Sequence, residues 1–193
     1  MGDRQSMTAE FGVGRGKVYP ASKATSLLNP LRRLVQSPAR MARRLGAPPG
    51  SRVLEIGCGP GYFSRDLEAH VPDGQLVLFD LQHEMLEFAQ SRLGTSSTAV
   101  AVQGDALALP VRSASFDAAV IVLMLGEVPD RDHCLTEVRR VLRRGGVALF
   151  AETRRDSDFI RFDALRPMVE AHGFDFVDRR GPSWEYTARF AAR

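Results

Sequence analysis

Val53-Leu54-Glu55-Ile56-Gly57-Cys58-Gly59-Pro60-Gly61-Tyr62 sets a short apolar strand directly against a loop with glycine at every second position. Glycines in that place let the backbone turn tightly and approach a ligand closely. A dinucleotide loop of the form G-x-G-x-x-G would need glycine where Tyr62 stands. Glu55 sits in the strand, two residues before the loop. A pyrophosphate prefers helix N-termini and positive charge, so the nearby carboxylate suits a ligand that carries a cation.

Outward from this loop, strand and helix patterns alternate to the end of the chain. After the loop, Tyr62 to Ala69 reads as a helix, and Gln75 to Phe79 as a second strand ending at Asp80. His83 to Leu93 is helical, Thr98 to Gln103 a third strand, and Phe116 to Leu123 a fourth, apolar enough to be buried on both faces. A helix over Asp130 to Arg143 is expected to break at Gly145-Gly146, before a fifth strand, Val147 to Ala151. Phe159 to Ala171 is helical; Phe174 to Asp178 and Trp184 to Phe190 are the last strands, with Trp184 expected in the core. This order builds an α/β, doubly wound, mostly parallel sheet with helices on both faces. The connection Arg179 to Ser183 is too short for a parallel crossover, so the final strand should be antiparallel.

Residues 1–50 differ from the rest. They hold nine of the 26 Lys/Arg and only two acids, Asp3 and Glu10, against a whole-chain net charge of +3. The first twenty residues are glycine-rich and read as flexible. Asn29-Pro30 signals a turn, and Leu31, Leu34 and Val35 fall at helical spacing. Ser37-Pro38 is an N-cap followed by proline at the first helical position, with Met41, Ala42 and Leu45 on one face and Gly46 as the stop. Two units are therefore expected: a basic helical arm or lid over 1–50 and a catalytic domain over 51–193. The longest uncharged apolar run, Ala118 to Leu125, is too short to span a bilayer. The two cysteines, Cys58 and Cys134, lack metal-ligand spacing, so no metal is expected, and free thiols point to the cytoplasm.

Asp80 closes the second strand nineteen residues beyond Gly61. A carboxylate there can accept both hydroxyls of a ribose. Gly104-Asp105-Ala106 follows the third strand, where a short acid can accept from an adenine amino group and Ala106 leaves room for the ring. Either aspartate alone could be a cap. In order on successive strand ends, and beside a cation-tolerant loop, they describe S-adenosylmethionine.

With these motifs, and with Leu109-Pro110, Phe116-Asp117 and Arg143-Arg144-Gly145-Gly146 before a strand, the chain from about Pro48 onward resembles the class I SAM-dependent methyltransferases. The nearest type within that family is methyltransferase type 11, which includes the ubiquinone/menaquinone C-methyltransferases. The resemblance implies a Rossmann-like seven-stranded sheet in the order 3-2-1-4-5-7-6, with strand 7 antiparallel. It implies that Glu55, Gly57, Cys58, Gly59 and Gly61 surround the methionine moiety and that Asp80 binds the ribose. Leu81, Asp105 and Ala106 would frame the adenine, and Ile121 and Val122 would lie under the sulfonium. S-adenosylhomocysteine would be the product. Many relatives carry a polar residue or a His pair after the fourth strand; this chain has Leu123-Met124-Leu125-Gly126-Glu127.

The expected reaction is in-line methyl transfer to a small-molecule acceptor. The alternatives are an RNA or protein methyltransferase that uses the basic arm, or a SAM-binding protein that does not methylate. Nucleic acid is not the expected partner, because no added RNA-binding domain or Asn-Pro-Pro-Tyr-type amine site is present. The acceptor and the oligomeric state stay open. His133 and Glu127 are the candidate general bases. Tyr19 in the arm is a candidate lid residue and Leu125 a candidate substrate contact.

Overall fold

The computed structural model describes Lys17, residues 19–28 and residues 36–193. The Asn29-Pro30 turn, the helical spacing of Leu31, Leu34 and Val35, and the glycine-rich start lie outside the described residues.

Tyr19 leads into a 3-10 helix, Ala21–Leu28. Helix α1, Pro38–Leu45, begins as its sequence requires. The Ser37 side chain accepts from the Arg40 N–H, Pro38 needs no donor at the first turn, and Gly46 ends the helix at φ 70°. The remaining elements are β1 (Arg52–Ile56), α2 (Ser64–His70), β2 (Gln75–Asp80), α3 (His83–Leu93), β3 (Val100–Gln103), β4 (Phe116–Val122), α4 (Arg131–Val141), β5 (Leu142–Thr153), α5 (Phe162–Ala171), β6 (Phe174–Arg180) and β7 (Glu185–Ala192).

All seven strands form one sheet in the order β3-β2-β1-β4-β5-β7-β6. β7 is antiparallel to both β5 and β6, as the short β6–β7 connection demands. The sheet separates two apolar layers. Met41, Leu45, Leu67, Leu86 and Ala89 from α1–α3 cover one face with Val53, Leu78 and Val120. Leu135, Val138, Leu165 and Val169 from α4 and α5 cover the other with Leu54, Ile121 and Phe150. Alternate residues of β1 and β4 thus serve opposite layers, which is why these strands read as continuous apolar runs.

Two expectations fail locally. The glycine pair does not separate α4 from β5. Leu142 already pairs with Phe116, and the register then shifts so that Ala118 faces Val147. Asp117 alone stands opposite Arg143 to Gly146, so the glycines, with Gly145 at φ 78°, form a bulge between the interior strands β4 and β5. Trp184 is half exposed. β7 begins only at Glu185, so Trp184 belongs to the preceding turn, where its carbonyl accepts from the Arg154 N–H at 2.7 Å.

Candidate active site

The first strand delivers the chain into the glycine loop at the carboxyl end of the sheet, beside the point where strand order reverses between β1 and β4. The loop spends its donors mainly on the end of β2. Gly57 N–H and Cys58 N–H both donate to the Phe79 carbonyl, at 2.8 and 3.1 Å, and Gly61 N–H donates to the Cys58 carbonyl at 3.1 Å. Gly59 N–H donates to Asp80 Oδ2 at 2.9 Å, and Pro60 has no N–H. A phosphate cradle needs such N–H groups aimed at the ligand; here none remains.

The loop opens onto a cavity of about 210 Å³. Of the residues singled out in the sequence, Tyr19, Gly57, Cys58, Gly59, Asp80, Leu81, Asp105, Ala106, Val122 and Glu127 line it. Gly59 sits at φ 51°, and a Cβ there would meet only Leu27, at 3.9 Å. Its neighbourhood is open on the ligand side. Gly61, at φ 76°, is pressed against α3, where a Cβ would come within 2.9 Å of the Ala89 backbone.

Five candidates stand apart from the cavity. Glu55 lies on the layer side of β1, is buried beneath α2 and accepts from the Ser64 hydroxyl at 2.6 Å. Burial pushes its carboxyl up to about 8. Gly61 serves the loop's packing against α3. Ile121 is fully buried in the α4–α5 layer; because adjacent strand residues face opposite ways, only its neighbour Val122 reaches the cavity. Leu125 is likewise core. His133 is exposed on the first turn of α4, and its N–H donates to the Asp130 side chain at 3.0 Å.

Asp80 is buried, and each of its oxygens accepts one backbone N–H, Oδ2 from Gly59 and Oδ1 from Gln82 at 3.0 Å. Burial raises its carboxyl above the ordinary range against the pull of these bonds. Each oxygen keeps a second lone pair for a ligand hydroxyl. Asp105 is an exposed rim residue that accepts from the Leu107 N–H at 2.9 Å. The Cys58 thiol is pushed up by burial and by Glu55 and Asp80, which keeps it protonated.

Glu127 follows β4 and closes the far end of the cavity. Burial first, then Asp156, Asp158 and Asp80, push its carboxyl up to about 8. The Tyr19 N–H donates to its Oε2 at 3.4 Å. Gln82 is a functional neighbour that the sequence did not reveal. Its Nε2 donates to the Tyr19 carbonyl at 2.7 Å and its Oε1 accepts from the Ala21 N–H at 3.0 Å. Contacts across more than sixty residues leave no local pattern. Met124 and Asp156 also line the cavity.

Among the described residues, the lining contains four carboxyl side chains, Asp80, Asp105, Glu127 and Asp156, and no Lys, Arg or His. The donor set therefore fits S-adenosylmethionine. Asp80 can take the ribose hydroxyls, Asp105 and Ala106 stand where the adenine would lie, and the acidic wall suits a sulfonium and an ammonium. No described helix is long and apolar enough to cross a membrane, and no described cluster of His, Cys, Asp and Glu could hold a metal ion.

The chain is 35% identical over 118 residues to a demethylmenaquinone methyltransferase of Lactococcus lactis, covering 60% of this chain and 47% of that protein. It spans about half the length of the curated relatives it matches. Among solved structures, a SAM-dependent methyltransferase from Aquifex aeolicus superposes with a TM-score of 0.81 at 18% identity, covering 90% of this chain and 98% of that one. The N-methyltransferase NodS from Bradyrhizobium japonicum has a TM-score of 0.70 at 21% identity, with 85% and 97% covered. These two likenesses show the fold. The methyltransferase domain family matches residues 54–150, a span that runs from the strand before the glycine loop through most of β5. The chain belongs to the class I S-adenosylmethionine-dependent methyltransferase family.

Proposed function

We propose that the protein transfers a methyl group from S-adenosylmethionine to a small-molecule acceptor held at the Leu123–Glu127 end of the cavity. The observation that carries this reading is a lining of four carboxyl side chains with, among the described residues, no Lys, Arg or His, beneath a glycine loop whose N–H groups are all engaged; Glu127, raised to about 8, contributes little of the negative charge at pH 7. The lining suits a nucleoside that carries a sulfonium and an ammonium, with a net positive charge, and repels a pyrophosphate.

When bound, the cofactor supplies a methyl group already activated on a sulfonium, so the chain's work is binding, positioning and exclusion of water. Asp80 and the rim residues Asp105 and Ala106 hold the nucleoside end. Val122, Leu123 and Met124 form an apolar wall that fixes the acceptor. Glu127 is the acceptor-side base: a carboxyl raised to about 8 changes charge close to working pH, where a general base is most effective. Tyr19 and Leu27 cover the opening, and Gln82 holds Tyr19 in place. The two free, buried thiols suit the reducing cytoplasm.

Isothermal titration with S-adenosylhomocysteine and with NAD tests the reading. S-adenosylhomocysteine is expected to bind and NAD to give no heat. Binding of NAD, or of neither, would overturn it.

A further inference from the structure

A second cavity, of about 340 Å³, lies between α1, the end of β5 and the β6–β7 turn. A hydrogen bond joins its wall to that of the first cavity: the Tyr62 hydroxyl, on the first, donates at 3.2 Å to the carbonyl of Gln36, on the second.

Among the described residues, four arginines line it, Arg40, Arg43, Arg44 and Arg180. Arg44 is structural. Its guanidinium grips both oxygens of Asp178, at 2.6 and 2.7 Å, and Arg189 shares the same carboxylate. The guanidiniums of Arg40, Arg43 and Arg180 make no hydrogen bond or ion pair with any described residue, and all three residues are exposed. Helical spacing puts Arg40 and Arg43 on the same side of α1.

Two acids share the lining. Glu152 accepts from the Ile160 N–H at 3.1 Å, and burial pushes its carboxyl up to about 8, so it is mostly neutral at pH 7. Glu185 has one carboxylate oxygen, Oε2, buried without a partner. Three guanidiniums therefore face one carboxylate, and they do not collapse onto it. The positive charge concentrated in residues 1–50 is in part spent here.

We propose that this second cavity is an oxyanion site that takes a phosphate or carboxylate group between Arg40, Arg43 and Arg180, with Glu185 accepting from a hydroxyl of the same ligand. Planar guanidiniums bind such groups through charge-assisted, paired hydrogen bonds. Hydrogen phosphate carries both the charge and the O–H. The site stands apart from the methyl-transfer cavity and does not rest on the function assigned there.

The test is calorimetric titration of the full chain with inorganic phosphate. Saturable one-site binding is expected, weakened at least about tenfold in Arg40→Gln/Arg43→Gln and in Arg180→Gln, the loss of one or more charge-assisted bonds. Arg144→Gln removes the same charge from an exposed position outside both cavities and should leave affinity within about twofold, since exposed charges at a distance are screened. S-adenosylhomocysteine affinity, measured on the same variants, should be unchanged; this reports on the first cavity independently. Phenyl phosphate supplies the second arm. Tighter binding than inorganic phosphate assigns the site to an acid group on a larger molecule, and equal or weaker binding assigns it to the free ion. Absence of saturable phosphate binding, or an equal loss in Arg144→Gln, would overturn the proposal.

Discussion

Gly59 and Asp80 are joined by a 2.9 Å hydrogen bond from the loop N–H to the carboxylate. One side chain therefore fixes the shape of the glycine loop and presents its remaining lone pairs to the cavity. Asp80→Ala removes both roles and should weaken S-adenosylhomocysteine binding by about 10–100-fold, the worth of one to two charge-assisted bonds. Calorimetry giving unchanged affinity would sink the ribose assignment.

The glycines separate binding from stability. Gly59→Val places a side chain over the cavity at φ 51°, so it should abolish cofactor binding and leave the sheet folded. Gly61→Val drives a side chain into the backbone of α3. Its first effect should be on stability, a loss of about 1–3 kcal/mol from overpacking, more with the backbone strain added. Denaturant titration beside ligand titration distinguishes the two; the reverse pattern would show the loop misassigned.

Buried carboxyls set the pH response. Glu55, Glu127 and Glu152 are each raised from an ordinary 4.5 to about 8, chiefly by burial. Between those values the folded state keeps protons that the unfolded chain has released. These groups therefore make stability fall as pH rises through that window and add no slope below or above it. Glu55→Gln keeps an acceptor for Ser64 and cannot ionise. Its melting temperature should fall less than that of the unmodified protein as pH rises from about 5 to about 8. Identical slopes would mean that Glu55 is ionised in the folded state.

Catalytic pH dependence isolates Glu127. Activity should rise as this carboxyl ionises, with an inflection near 8. Glu127→Gln should lose that inflection and most of the turnover while keeping cofactor affinity within about tenfold. A pH profile that survives the substitution would assign the base elsewhere.

Gln82 offers a way to loosen the cover. Gln82→Ala removes two hydrogen bonds to Tyr19 and Ala21. Affinity for S-adenosylhomocysteine should fall by less than about tenfold, and turnover should fall further as water enters. Amide exchange across Tyr19–Leu28 should slow when S-adenosylhomocysteine binds. Equal exchange with and without it would show that this segment is no lid.

The alternation of strand and helix was legible because buried parallel strands are short apolar runs and their crossover helices carry a different period. The antiparallel β7 followed from the five residues Arg179 to Ser183. Asp80, Asp105 and Gly59 were legible as cavity-lining residues because strand ends and tight turns restrict which residues can stand there. Glu55 and Ile121, expected beside the ligand, lie apart from the cavity for one shared reason: proximity along a strand does not say which face a side chain takes. Gln82 was invisible, since its role depends on a segment sixty residues away. The bulge at Gly145-Gly146 has the composition of a loop and differs from one only because Leu142 and Val147 on either side pair with Phe116 and Ala118.

The Arg44–Asp178 pair joins positions 134 residues apart. Closing so long a span is slow, and contacts of this kind form after local ones. On the ribosome, which extends chains N-terminus first, α1 is made before β1 but has no carboxylate to grip until β6 emerges. The apolar face of α1 can thus settle against α2 early, while its charged anchor, Arg44, is completed only once the β6–β7 hairpin is in place.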